Sequence, residues 1–305
     1  MPPFCLGKAA QFAARTCLKA VSTTYDEAQD RLQRFMERDH DQVGELGRTI
    51  LLSHGERTKR AVVLLHGMSA SPTQFGQFAK LLYERGYNVL VPRLPRHGYS
   101  DRLTTALADL SGGELKDVTT EAVEIAHGLG ESVSIIGFSL GGLLAAWAGQ
   151  FHRVATVMCI APFVGIAWMP HAFAPLTGTL LLKFPNRFHW WHPIKREKLM
   201  PEHGYPRYST HAVGEAYRLV GDVFADAQAH APRAAKIIVI TNARETTINN
   251  RSVHKLIKLW RAQDPDLVTA FEFNDLPLSH DIIEPLRHPE IVARVYPKLL
   301  ELLGA

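Results

Sequence analysis

Cysteine is scarce in this 305-residue chain: Cys5, Cys17 and Cys159 are the only three, and none pairs with another at short spacing. That excludes a disulfide-stapled scaffold and a CxxC zinc or redox site. Long apolar runs are missing too, and nothing reaches the ~18 residues that a membrane-spanning helix needs. Charge of one sign is barely in excess, with 34 Lys and Arg against 30 Asp and Glu and no long basic run, so a nucleic-acid partner has little support. No internal repeat or low-complexity tract is visible. What is present is ordinary globular usage, 46% hydrophobic and 21% charged, which excludes a disordered chain. The length suffices to bury a large core.

Composition shifts once, at the N-terminus. Residues 1–25 carry Lys8, Arg15 and Lys19 and no acid before Asp26, interleaved with Phe4, Leu6, Phe12, Leu18 and Val21. Lys8, Gln11 and Arg15 interrupt any signal-peptide core, so a cytoplasmic location is expected. The favoured reading of 1–45 is a helical extension running through Asp26 to Glu37. Weak contact with a membrane surface through residues 1–25 is the other.

Beyond residue 45, apolar runs alternate with helix-period stretches. Thr49 to Leu52, Ala61 to Leu65, Asn88 to Val91, Ser132 to Ile136, Val154 to Ile160, Lys236 to Ile240 and Val268 to Phe273 read as strands. Thr73 to Arg85, Glu114 to Leu129, Gly142 to Phe151, Ser252 to Gln263 and Pro289 to Leu303 read as helices. The expected fold class is α/β, a doubly wound, mostly parallel sheet with 46–161 and 234–305 as its core. Ligands of such sheets sit at the carboxyl ends of the strands. The interval 162–233 shows no strand and is rich in aromatics, so it is expected to be a helical cap over those ends. Trp168, Phe173, Trp190 and Trp191 are its candidate substrate contacts.

The central motif is Gly137-Phe138-Ser139-Leu140-Gly141, with a strand before it and a helix after it. That context is what a nucleophile elbow requires, because a tight strand-to-helix turn pushes a serine hydroxyl out at the sheet edge. Serine needs a base, and His280 follows the last strand, where a Ser…acid…His order would place it. The third member should be a carboxylate after the penultimate strand. Glu245 is the only acid in that loop, and Asp275 is the competing candidate. Backbone N–H groups must hold the oxyanion: Leu140, after the nucleophile, and Met68, after the strand ending at Leu65-His66-Gly67. His66 itself reads as a structural support of that turn. No metal site is expected.

These pieces together resemble the α/β-hydrolase superfamily, nearest to small carboxylesterases and monoacylglycerol lipases. The resemblance rests on Leu65-His66-Gly67, on Pro92-Arg93-Leu94-Pro95-Arg96-His97-Gly98-Tyr99-Ser100, on the Gly137–Gly142 elbow and on Ser279-His280-Asp281. It implies a Ser–acid–His triad, an acyl-enzyme intermediate, no cofactor, and a cap inserted at 162–233. The implied activity is hydrolysis of a carboxylic ester, and the aromatic, Met- and Leu-rich insertion argues for a hydrophobic acyl or alcohol group. Thioesterase, C–C hydrolase or acyltransferase chemistry on the same triad is the alternative, and a non-catalytic ligand-binding member the distant one. The chain departs from the family's pattern in having Glu245 for the usual Asp, Asn242 for a glycine in the acid loop, and Arg96 for the first glycine of a common Gly-His-Gly.

Overall fold

The computed structural model of the chain describes residues 24–169, 174–198 and 200–305. Its strands are β1 (Ile50–Leu52), β2 (Thr58–Leu65), β3 (Tyr87–Val91), β4 (Gly130–Phe138), β5 (Thr156–Ile160), β6 (Phe188–Trp190), β7 (Arg207–Ser209), β8 (Ile237–Asn242) and β9 (Val268–Phe273). Its α-helices are α1 (Tyr25–Met36), α2 (Gly76–Tyr83), α3 (Gly112–Leu129), α4 (Leu140–Phe151), α5 (Ala174–Lys183), α6 (Thr210–Ala229), α7 (Asn250–Gln263) and α8 (Pro289–Leu303).

Seven strands form one sheet in the order β1-β3-β2-β4-β5-β8-β9. Only β1 runs antiparallel to its neighbour; β2, β3, β4, β5, β8 and β9 pair in parallel. Continuous apolar runs such as Ala61 to Leu65 are buried on both faces, which parallel strands under two helical layers require. One hydrophobic cluster packs α1, α3, α4, α6 and α7 on one face, and the other packs α2 and α8 on the opposite face. The chain winds outward from β2 to β3, then returns to place β4 on β2's other side. The winding direction therefore reverses between β2 and β4, and the loops after both strands open into that crevice.

The N-terminal extension forms α1 in its described part, with residues 1–23 outside the described residues. Thr24 caps α1 by accepting the Glu27 N–H at 3.2 Å, and the Glu27 carboxylate accepts the Thr24 N–H at 2.9 Å. Ala28, Leu32 and Phe35 face α3, and ion pairs Arg31–Glu124 and Arg38–Glu121 flank that contact. Among the described residues no helix is long and apolar enough to cross a membrane.

The 162–233 segment departs from the wholly helical expectation. Besides α5 and α6 it contains β6 and β7, paired antiparallel with Phe188 opposite Ser209 and Trp190 opposite Arg207. Two three-residue strands that pair only with each other leave no periodic signature in sequence. The helix α6 buries Ala212, Ala216, Tyr217, Leu219, Val220 and Val223 in the same cluster as α3 and α4, so it belongs to the body's helical layer.

Candidate active site

The turn between β4 and α4 forces Ser139 into a left-handed backbone, φ 55° and ψ −113°. A non-glycine residue holds such a conformation only when its surroundings over-determine it. Here the Ser139 N–H donates to the Ile160 carbonyl at 3.0 Å, and the Ser139 carbonyl accepts from Leu143 at 3.0 Å and Phe163 at 2.9 Å. The flanking glycines make the crossing sterically feasible. A Cβ on Gly141 would lie 1.9 Å from the Leu65 carbonyl oxygen, and one on Gly137 would lie 1.9 Å from that of Gly141.

The structure brings Ser139, His280 and Glu245 together. Ser139 Oγ lies 2.9 Å from His280 Nε2, and His280 Nδ1 lies 3.0 Å from Glu245 Oε2. With the proton on Nδ1 donated to the carboxylate, Nε2 is free to accept the serine O–H. The other glutamate oxygen, Oε1, accepts from the backbone N–H groups of Thr246, Thr247 and Ile248 at 2.8, 2.7 and 3.3 Å. Burial pushes the Glu245 carboxyl up, but the His280 charge, its hydrogen bond and the Thr247 and Ile248 donors outweigh it and leave the group below the usual carboxylate range. Asp275, the competing acid, instead pairs with Arg294 and has a largely exposed side chain, 67%.

Asn242 was legible in sequence only as a departure, yet it ties the acid loop to the histidine loop. Its buried Nδ2 donates to the Pro277 carbonyl at 3.0 Å and to the Ser279 carbonyl at 2.9 Å, immediately before His280. A glycine could not reach either carbonyl.

The turn after β2 is held by buried polar groups. The Gly67 N–H donates to Gln74 Oε1 at 2.9 Å. His66 Nδ1 lies 2.9 Å from the Gly67 carbonyl, and Nε2 accepts the Leu94 N–H at 3.1 Å, which defines a neutral tautomer. Burial, then the neighbouring His97, holds His66 well below its ordinary range. His97 is pushed down to about 4, chiefly by burial, with its Nδ1 2.7 Å from the Pro95 carbonyl.

Those neutral histidines make stability pH-dependent. The folded value of His97 lies below the unfolded one, so the unfolded chain takes up the proton first as pH falls. Stability is therefore complete above about pH 6.5 and declines toward pH 4, by about 3 kcal/mol from His97 alone. Urea midpoints between pH 7 and 4 should fall more shallowly for His97→Asn than for the native protein. Equal slopes would remove His97 as a cause.

A cavity of about 300 Å³ opens over the triad, lined by Met68, Phe138, Ser139, Trp191, Met200 and Leu278 among others. Arg287 and His288 also line it, and Arg287 Nη1 bonds Asp281 Oδ2 at 2.8 Å. Of the four aromatics expected at substrate, Trp191 alone is seen to line the cavity. Trp190 precedes it in an extended segment and faces the other way, toward the Arg196 guanidinium 5.6 Å from its ring. Trp168 is 76% exposed, and Phe173 lies outside the described residues. Sequence reasoning missed Met200, Leu278 and Arg287, which lie in irregular segments without periodicity. Met68 lines the cavity beside Ser139. Leu140 is the first residue of α4, where a backbone N–H has no intrahelical partner. Among the described residues no three His, Cys, Asp or Glu side chains cluster as a metal ion would need.

Comparison with known proteins agrees with this architecture. No curated protein sequence matches the chain. Among solved structures, a metagenome-derived lipolytic enzyme superposes with a TM-score of 0.60 at 17% identity, covering 84% of this chain and 100% of its own. The monoacylglycerol lipase of Paleococcus ferrophilus gives 0.60 at 18%, covering 83% and 98%. A soluble variant of the Saccharomyces cerevisiae monoglyceride lipase, solved with a substrate analog, gives 0.57 at 15%, covering 84% and 90%. At these identities the likeness speaks to fold. The sequence also matches the alpha/beta hydrolase family over residues 62–295, most of its length, and so the chain belongs to that family.

Proposed function

We propose that the protein is a serine hydrolase that cleaves small carboxylic esters with a hydrophobic acyl or alcohol group. The observation that carries this reading is the continuous chain from Ser139 Oγ through His280 to Glu245, at 2.9 and 3.0 Å, beneath a cavity to which Met68, Phe138, Trp191, Met200 and Leu278 contribute apolar side chains. His280 Nε2 takes the Ser139 proton as Oγ attacks the ester carbonyl, and Glu245 stabilises the imidazolium that results. The Met68 and Leu140 N–H groups hold the oxyanion. His280 then protonates the leaving alcohol, an acyl-Ser139 ester remains, and a water activated by the same histidine releases the acid.

The roof is formed by the insertion up to about residue 209, with Trp191 and Met200 its contributions to the cavity. At about 300 Å³ the cavity lies at the small end of ligand sites, which favours short acyl chains. A panel of p-nitrophenyl esters from acetyl to palmitoyl, run beside fluorophosphonate labelling read by intact mass, tests the reading. A single adduct with ester turnover falling at long chains is expected. An adduct without ester turnover would redirect the reading to a thioester or another acyl bond. No adduct on folded protein would overturn it.

The acid assignment has its own test. Glu245→Gln keeps the shape but no longer stabilises the imidazolium, and kcat should drop by about 10⁴-fold, as for other triad acids made neutral. Asp275→Asn should leave kcat unchanged. The reverse pattern would exchange the two roles.

A further inference from the structure

We propose that Tyr205, from the insertion, is a positioning residue for the oxyanion loop, acting as a clamp on two left-handed backbone turns. The proposal rests on the triad reading above. Ser69 and Arg96 both have φ of 66° and neither is glycine. Both carbonyls are held by Tyr205. Its N–H donates to the Ser69 carbonyl at 2.6 Å, and its hydroxyl donates to the Arg96 carbonyl at 3.2 Å. The same hydroxyl accepts the Tyr99 N–H at 2.9 Å, so it spans the 96–99 turn. Tyr205 itself is buried, 3% exposed.

Each turn leads to the oxyanion donor. Ser69 directly follows Met68, so its carbonyl lies two peptide units beyond the one that carries the Met68 N–H, and holding it restrains the turn in which that N–H sits. The 92–100 loop acts from the other side: its Leu94 N–H donates to His66 Nε2, and His66 precedes Gly67 and Met68. Left-handed conformations of non-glycine residues persist only where surrounding contacts enforce them. Arg96 holds at φ 66° a backbone that glycine adopts without strain. The Tyr205 hydroxyl supplies by hydrogen bonding what a glycine at position 96 would supply by conformational freedom.

The segment before Tyr205 is pinned as well. Arg102 donates from Nε to the Gly204 carbonyl at 2.9 Å and from Nη2 to the Met200 and Pro201 carbonyls, each at 3.1 Å. The clamp is therefore set on a fixed base, and deleting one oxygen from it changes the tension on the turn rather than the path of the strap.

The test uses the full-length protein and four forms: native, Tyr205→Phe, Arg96→Gly and the double variant. Turnover of p-nitrophenyl acetate is measured with inhibition by a trifluoromethyl ketone, whose adduct places an oxyanion in the hole. For Tyr205→Phe, kcat should fall about tenfold with KM within twofold, and inhibitor affinity should fall in parallel, because only oxyanion stabilisation is lost. Against an Arg96→Gly parent, which also lacks the Arg96–Glu114 ion pair, the Tyr205→Phe change should no longer lower kcat or inhibitor affinity. A lowered melting temperature with unchanged kcat and inhibitor affinity would reduce Tyr205 to a packing residue. Loss of kcat without loss of inhibitor affinity, or an equal loss against the Arg96→Gly parent, would also overturn the clamp. If the native protein neither turns over the ester nor binds the ketone, the triad reading fails, and the clamp with it.

Discussion

Replacing Ser139 with alanine is expected to abolish the fluorophosphonate adduct and lower kcat/KM for a p-nitrophenyl ester by about 10⁵-fold or more. In a serine–histidine pair of the proposed kind the two residues act as a unit, so removing the nucleophile is expected to cost nearly as much as removing the whole triad. A small residual rate over water should survive, because the Met68 and Leu140 donors and the cavity remain. Fold stability should be untouched, since alanine keeps the Cβ and the backbone bonds to Ile160, Leu143 and Phe163. Ser139→Gly separates two quantities that Ser139→Ala cannot. Glycine relieves the strain of φ 55°, so this inactive variant should unfold about 1 kcal/mol later than the native protein. Activity and thermal unfolding measured on both variants check the pair of expectations. Retained ester turnover in Ser139→Ala would displace the serine from the chemistry.

The second large effect falls on stability. Gly141→Ala adds a single methyl group, but it would sit 1.9 Å from the Leu65 carbonyl oxygen, 2.4 Å from its carbonyl carbon and 2.7 Å from the His66 carbonyl oxygen. Ordinary overpacking costs about 1–3 kcal/mol because side chains change rotamer to make room. Here the obstruction is backbone of a central strand, paired in parallel with both β3 and β4, and it has no rotamer to change. The expected loss exceeds about 4 kcal/mol, enough that little soluble protein should be recovered. Gly113→Ala serves as the control. Its nearest neighbour would be the Ser111 hydroxyl at 3.8 Å, and α3 should gain slightly from alanine's higher helix propensity. Soluble yield and urea unfolding of the two variants make the comparison. A Gly141→Ala protein as stable as the native one would show that α4 can slide on β2.

How much could be read beforehand depended on what kind of signal each element leaves. The sheet was legible because Ala61 to Leu65 and Ile237 to Ile240 are buried on both faces and so appear as unbroken apolar runs. The elbow was legible because its glycines answer a steric demand that no other residue meets. Glu245 could be preferred to Asp275 as the only acid in the loop after the penultimate strand, but its anchoring by three backbone N–H groups could not be foreseen. The insertion was least legible. Its strands β6 and β7 are three residues each, and Trp190 and Trp191 stand side by side yet face opposite ways. Asn242 shows the limit from the other direction: a residue out of place in a pattern gains its meaning only once Pro277 and Ser279 are brought within reach of its amide.

The distance along the chain between the site's parts has a kinetic consequence. Ser139 and His280 are 141 positions apart and Glu245 is 35 before His280; they follow β4, β9 and β8, so four neighbouring strands, β4, β5, β8 and β9, must be in register before all three meet. Contacts that close loops of this size form late and slowly. Recovery of ester turnover after dilution from urea should therefore trail the return of helical circular dichroism. A nascent chain emerging from the ribosome should stay unreactive toward fluorophosphonate until the segment beyond His280 has been made.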